Sequence, residues 1–221
     1  MSRSVAPLII FDWDGTLMDS VPRIVSCMQK MALAAGLAVP AESAVRDIIG
    51  LSLPVALVQL FDCHEPAEQA RLIAFYRHYY VDEDPTPSPL FEGVEDMLTD
   101  LKQQGAILAV ATGKARPGLL RAWAETGTEH FFSSSRCASE AQSKPHPEML
   151  QLILSEQQQA AERSLMVGDS KFDLRMANSI NMPSVGVTYG VHCQHTLSRE
   201  NPEYIADNIE TLHAWLSSTQ F

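Results

Sequence analysis

Two acidic residues stand where an apolar run stops. In LIIFDWDGTLMDS, residues 8–20, Asp12 and Asp14 follow four apolar side chains and precede Gly15. Residues two apart on an extended segment point to the same side, so both carboxylates address one site. Alone, a D-x-D suits an Asx turn or a glycosyltransferase-type metal site equally well. Three further stretches narrow the choice. ILAVATGK ends an apolar run on Thr112 and Gly113, a hydroxyl followed by backbone amides that suit phosphate oxygens. SKPHPEML carries Lys144 just ahead of Pro147, a residue type favoured in the opening turn of a helix. SLMVGDSKFDL closes another apolar run with Gly168 and Asp169, and Asp173 follows one helical turn later. Singly these are turns, a helix cap and a solvated lysine. Jointly they bring acids, a hydroxyl and a lysine to the ends of apolar runs. Four carboxylates drawn together repel one another unless a cation lies between them, and an all-oxygen ligand set suits Mg²⁺.

Such groups need a scaffold that delivers them to one edge. Five short apolar runs, at 8–11, 107–111, 131–133, 164–167 and 183–188, break off at polar or glycine-containing residues. Continuous hydrophobicity suits parallel strands buried on both faces, and patterns such as VEDMLTDLKQQG and PEMLQLILSEQQQ supply the crossover helices. The expected fold class is α/β, a doubly wound, Rossmann-like parallel sheet, which binds ligands beyond the carboxyl ends of its strands. Between the first run and the second lie about a hundred residues, far more than one crossover needs. Residues 20–80 hold helical patterns (IVSCMQKMALAAG, ESAVRDIIG, PVALVQLF, EQARLIAFYRHYY) and no convincing strand. An all-helical insert over 18–87 is therefore expected, set into a core of 1–17 and 88–221. Pro85, Pro87 and Pro89 mark the way back, and the crossings near 16–20 and 84–91 would form a hinge.

The motifs D-W-D-G-T-L-M-D-S, A-T-G-K, K-P-H-P-E and G-D-S-K-F-D occur in this order across nearly the whole chain. In them the sequence resembles the haloacid dehalogenase superfamily, in the branch with a helical cap inserted after the first strand, and among these the phosphoglycolate phosphatase-like enzymes. The resemblance implies that Asp12 is a nucleophile forming an aspartyl phosphate, and that Asp14 protonates the leaving alcohol and later deprotonates water. It implies Mg²⁺ held by Asp12, the Asp14 main-chain carbonyl and Asp169, with Asp173 orienting the metal site from behind. Thr112 and the Gly113 amide would grip the phosphoryl group, and Lys144 would balance charge on it and on Asp12. Asp14 has no part in displacing halide from carbon, and dehalogenases usually carry a non-acidic residue there, so phosphoryl transfer is favoured. RDIIGLSL resembles a cap loop facing the active site, which makes Arg46, Gly50 and Leu51 candidates to touch the leaving group. Arg46 reads equally as a solvated helix residue. Where such enzymes often carry glycine after the last motif this chain has Asn181, a residue that tolerates the left-handed conformation.

Composition sets the outer limits. The 221 residues are 46% hydrophobic with a formal net charge of −11 and no basic run, which argues against a nucleic-acid or membrane-surface footprint. The expected partner is a small phosphorylated metabolite, and the expected assembly a monomer or homodimer. Cys27, Cys63, Cys137 and Cys193 form no C-x-x-C pair, and the apolar part of MSRSVAPLIIF is short for a signal peptide, so a cytoplasmic setting is expected. Asp19 and Ser20 read as caps of the first inserted helix, Trp13 as a wedge against the sheet edge, and Lys114 and Arg116 as rim residues or a second anion site. His192, Cys193 and His195 in GVHCQHTL form a further metal-capable group, in what the resemblance makes a variable loop. A phosphosugar mutase and a pyrophosphatase remain alternatives within the superfamily. A signalling receiver domain or a silent phosphate-binding protein is the alternative outside it. The motif order disfavours the receiver, and the complete set of core residues disfavours the silent protein.

Overall fold

The computed structural model describes residues 7–218; residues 1–6 and 219–221, at the outer ends of the expected core, lie outside the described residues. The apolar runs assemble into strands β1 (Leu8–Phe11), β2 (Ile107–Thr112), β3 (Ser134–Cys137), β4 (Ser164–Gly168), β5 (Ser184–Val187) and β6 (Tyr204–Ala206). All pair in parallel, in the order β3-β2-β1-β4-β5-β6. This is the doubly wound arrangement, with the direction of winding reversing beside β1. Alternation along the strands sorts side chains to two cores. Ile9, Phe11, Leu108, Val110, Leu165 and Val167 face one, and Leu8, Ile10, Ala109, Ala111 and Met166 face the other. Burial on both faces is why the central strands are continuously apolar.

Two expectations need correction, both at the edges of the sheet. The apolar pair at 131–132 does not form the third strand; Glu129–Phe131 is a 3₁₀ turn, and the strand is the polar Ser134–Cys137 that follows. The short β6 falls on no apolar run. An edge strand has one neighbour and shares less of the core, so it lacks the hydrophobic signature of the centre.

Between β1 and β2 lie α1 (Val21–Ala34), α2 (Glu42–Arg46), α3 (Leu53–Phe61), α4 (Pro66–His78) and a π-helical turn, Tyr79–Glu83. Prolines stand in the first turns of α1, α3 and α4, where the missing N–H costs nothing. These helices enclose an apolar cluster of their own, including Ile24, Met28, Met31, Val45, Leu57 and Leu72, joined by Phe172 from the sheet domain. The remaining helices, α5 (Val94–Gln103), α6 (Arg116–Thr126), α7 (Glu148–Gln157), α8 (Lys171–Asn178), α9 (Gln194–Ser198) and α10 (Ile209–Ser218), cover the sheet. Asn181, beyond α8, has φ +54°, the conformation expected of it.

Where the chain leaves the sheet for the helices and where it returns, the two crossings run side by side. Asp19 N–H donates to the Pro89 carbonyl at 2.8 Å, and Phe91 N–H to the Leu17 carbonyl at 3.0 Å. Asp84, buried at the start of the return, accepts from Ser26 Oγ at 2.5 Å, Lys30 Nζ at 2.7 Å and Thr86 N–H at 2.9 Å.

Candidate active site

Strand register brings the polar residues together. Phe11 pairs with Val110 on one side and Val167 on the other, so Asp12, Thr112 and Asp169 leave the sheet at one edge. Asp12, Lys144, Asp169 and Asp173 are each at most 1% exposed, so their charges must be met within the protein. Lys144 Nζ lies 2.7 Å from Asp12 Oδ1 and 2.6 Å from Asp173 Oδ1. Burial pulls this ammonium down, but the two carboxylates more than offset it and hold its pKa above the ordinary value.

Each acid is held differently. Asp173 Oδ2 accepts from Ser170 N–H at 3.1 Å and Ser170 Oγ at 2.6 Å, closing a capping box at the start of α8. Asp169 accepts from Thr16 Oγ1 at 3.1 Å and from Val191 N–H at 2.8 Å, yet burial and then Asp173 push its carboxyl up to about 7. Gly15, at φ +81°, makes room for it, since a Cβ there would overlap the Asp169 carboxylate. Burial raises Asp12 well above the carboxylate range; Lys144 opposes this while Asp173 and Asp169 add to it.

This donor set fits a hard divalent cation. Asp12, Asp169 and Asp173 each offer a carboxylate oxygen within 4.8 Å of the others, the one such acidic group among the described residues. Asp12 Oδ2 is buried with no hydrogen-bond partner among the described residues. A buried carboxylate oxygen without a hydrogen-bond partner, set among other acids, suits an oxygen-seeking cation.

Asp14 faces a cavity of about 430 Å³ between the sheet edge and the inserted helices, lined also by Asp12, Gly113, Lys114, Gly50 and Leu51. Its Oδ1 accepts from Ser20 Oγ at 2.5 Å and Lys114 Nζ at 2.6 Å, and Lys114 also donates to Tyr80 Oη at 3.2 Å. Ser20 therefore occupies the N-cap position of α1 but spends its hydroxyl on Asp14 instead of the helix. Thr112, fully buried, accepts from Lys114 N–H at 3.1 Å. Gly113 has no room for a side chain: a Cβ would stand 2.6 Å from the carbonyl oxygens of both Gly50 and Leu51.

Other singled-out residues lie elsewhere. Arg46 is not among the cavity-lining residues; its Nη2 donates to the Gly190 carbonyl at 2.8 Å and it lies 3.8 Å from Glu42. Arg116 pairs with Glu140 at 2.6 Å. His192 turns its Nε2 to Asp47 at 3.1 Å and its Nδ1 to Lys171 N–H, forming no metal-capable group with Cys193 and His195. Trp13 is buried in the core, its ring edge-on to Trp123 and Phe132. Thr16, Ser20, Val191 and Tyr80 were not legible as site residues. Thr16 and Ser20 stand in the opening stretch itself, whereas nothing in the local sequence marks Val191 or Tyr80.

Comparison with known proteins agrees with this fold. Residues 9–187 match the family described as haloacid dehalogenase-like hydrolase. The chain is 33% identical over 213 residues to the phosphoglycolate phosphatase of Vibrio cholerae, covering 93% of this chain and 94% of that one. It is 36% identical over 209 residues to a protein of Dickeya dadantii named "Probable phosphatase IndB", covering 91% and 89%. Among solved structures, a predicted phosphoglycolate phosphatase from Haemophilus somnus superposes with a TM-score of 0.82 at 27% identity, covering 92% and 94%.

Proposed function

The chain belongs to the haloacid dehalogenase-like hydrolases and is a hydrolase of phosphate esters, and from that premise we propose that it is a Mg²⁺-dependent phosphatase of a small phosphorylated metabolite, working through an aspartyl phosphate on Asp12. The observation that carries the reading is the pairing of a buried, orphaned Asp12 oxygen with an Asp14 carboxylate facing the cavity. One acid is positioned to attack and the other to handle protons.

Asp12, Asp169 and the Asp14 main-chain carbonyl are the groups that would hold Mg²⁺. The ion supplies Lewis-acid stabilisation of phosphoryl oxygens and neutralises the clustered carboxylates. Asp12 Oδ2 attacks phosphorus as the ester oxygen departs, and Asp14 delivers the proton that makes the departing group an alcohol. Asp14, now a carboxylate, takes a proton from the water that hydrolyses the acyl phosphate. Lys144, 2.7 Å from Asp12, opposes the burial that disfavours charge on that carboxylate, and Asp173 holds Lys144 in place. Thr112 and the Gly113 amide bind the transferred group. Residues 18–87 act as a cap hinged at the paired crossings, excluding water from the first transfer.

Purified protein should hydrolyse a generic aryl phosphate with Mg²⁺ and lose turnover in excess chelator; undiminished turnover there would remove the metal from the scheme. Asp12→Asn should abolish turnover with the fold intact, because an amide forms no phosphoenzyme. Rapid-quench trapping should place the adduct on Asp12, and an adduct elsewhere would refute the assignment.

A further inference from the structure

Away from the acids the cavity is walled mainly by hydrocarbon. Ile24 and Met28 of α1, Ile49 and Leu53 from the α2–α3 connection and the start of α3, and Ile73 and Tyr76 of α4 form much of its lining. Positive charge is scarce in that wall. Lys114 is already held by Asp14 at 2.6 Å, and Arg46, outside the lining, is turned to the Gly190 carbonyl. The two lining arginines, exposed Arg77 and half-buried Arg121, keep contact with water and can neutralise an anion only where a ligand meets solvent. A carboxylate seated against these apolar side chains would be desolvated without a cation beside it, which strongly disfavours binding. The volume of about 430 Å³ also falls in the ~300–1,000 Å³ range that takes drug-sized ligands, and a two-carbon acid would leave most of it unfilled.

We propose that the alcohol released by this enzyme has an apolar body, an aromatic ring or a medium-length alkyl chain, seated against α1 and α4. The inference rests on the phosphatase reading above and names the substrate class of that same site. It separates this chain from a hydrolase of phosphoglycolate, the substrate for which its Vibrio cholerae relative is named. The phosphate end is common to both; discrimination comes from the wall. Each methylene moved from water into it favours binding, and an uncompensated charge opposes it.

Non-hydrolysable phosphonates read this preference without turnover. Calorimetric titration of the Mg²⁺-supplemented protein with methyl-, butyl- and hexylphosphonate should show affinity rising by about fourfold per methylene until the wall is covered. Phenylphosphonate should bind more tightly than methylphosphonate, and phosphonoacetate no more tightly. Ile73→Arg, at a half-buried position on the lining, should reverse the order of hexylphosphonate and phosphonoacetate, while Ile73→Ala should weaken hexylphosphonate and spare methylphosphonate. Affinity independent of chain length, or phosphonoacetate bound best by the unaltered protein, overturns the apolar substrate and leaves the phosphatase standing. Failure to bind methylphosphonate, together with failure to hydrolyse any ester, removes the phosphatase reading and this inference with it.

Discussion

Asp14 illustrates how little room a single side chain has in this site. Its Oδ1 is fixed by one hydroxyl and one ammonium, from Ser20 and Lys114, which lie on either side of a hundred-residue excursion of the chain. Replacing Lys114 with Met removes a charge-assisted hydrogen bond of roughly 1.5–3 kcal/mol, so kcat/KM should fall about ten- to hundredfold for every ester tried. Trapping of phosphate on Asp12 should survive, because Lys144 and not Lys114 faces that carboxylate. Steady-state and rapid-quench kinetics on the same variant separate the two outcomes. The convergence of Asp12, Lys144, Asp169 and Asp173 was legible in the sequence because Asp12 and Asp169 end apolar strands, Asp173 stands in the first turn of a helix and Lys144 lies just ahead of one. The Lys114–Asp14 pair was not, since the direction of a side chain just past a turn follows no periodicity.

At the scale of elements, the helical insertion meets the sheet backbone to backbone. The Gly50 and Leu51 carbonyls approach Gly113 so closely that Gly113→Ala should force the α2–α3 loop outward. The expected result is a stability loss of about 1–3 kcal/mol with a larger fractional loss of activity, measured by urea unfolding beside kinetics; wild-type activity in this variant would mean that the approach is not needed for turnover. Asp84 anchors the return crossing and gives a pH signature. Burial opposes its charge, but Lys30, Ser26 and Thr86 outweigh burial and hold its carboxyl well below the ordinary range. A depressed folded pKa stabilises above the unfolded value of about 3.9, and the contribution drains away as pH falls through the folded one. Unfolding of wild type and Asp84→Asn should thus differ by roughly 1–3 kcal/mol at neutral pH and converge in strong acid. Central strands and all four inserted helices could be read from hydrophobic pattern and proline placement. The edge strands could not, because SSRC and YIA share too little of the core to carry a pattern.

For the molecule as a whole, a cation bound only by the folded state adds its binding free energy to stability. Mg²⁺ at a hundred times its dissociation constant contributes about 2.7 kcal/mol, which for a chain of this length raises Tm by about 5–10 °C. Thermal unfolding in Mg²⁺ against Na⁺ at matched ionic strength should show that rise, and Asp169→Asn should shrink it. Equal shifts in both salts would mean that the acidic cluster is structural. The winding order has a separate consequence, for the newborn chain. β1 is the first of the six strands to be synthesised and sits at the centre of the sheet, yet its neighbours begin at Ile107 and Ser164. At ordinary elongation rates about 5–20 s pass before β2 exists. Meanwhile α1–α4, whose contacts are local, can collapse around their own cluster while LIIF waits without a partner. The ribosome delivers this chain with its keystone first and its flanking stones last, which leaves the apolar stretch that leads to Asp12 unpaired until the later strands arrive.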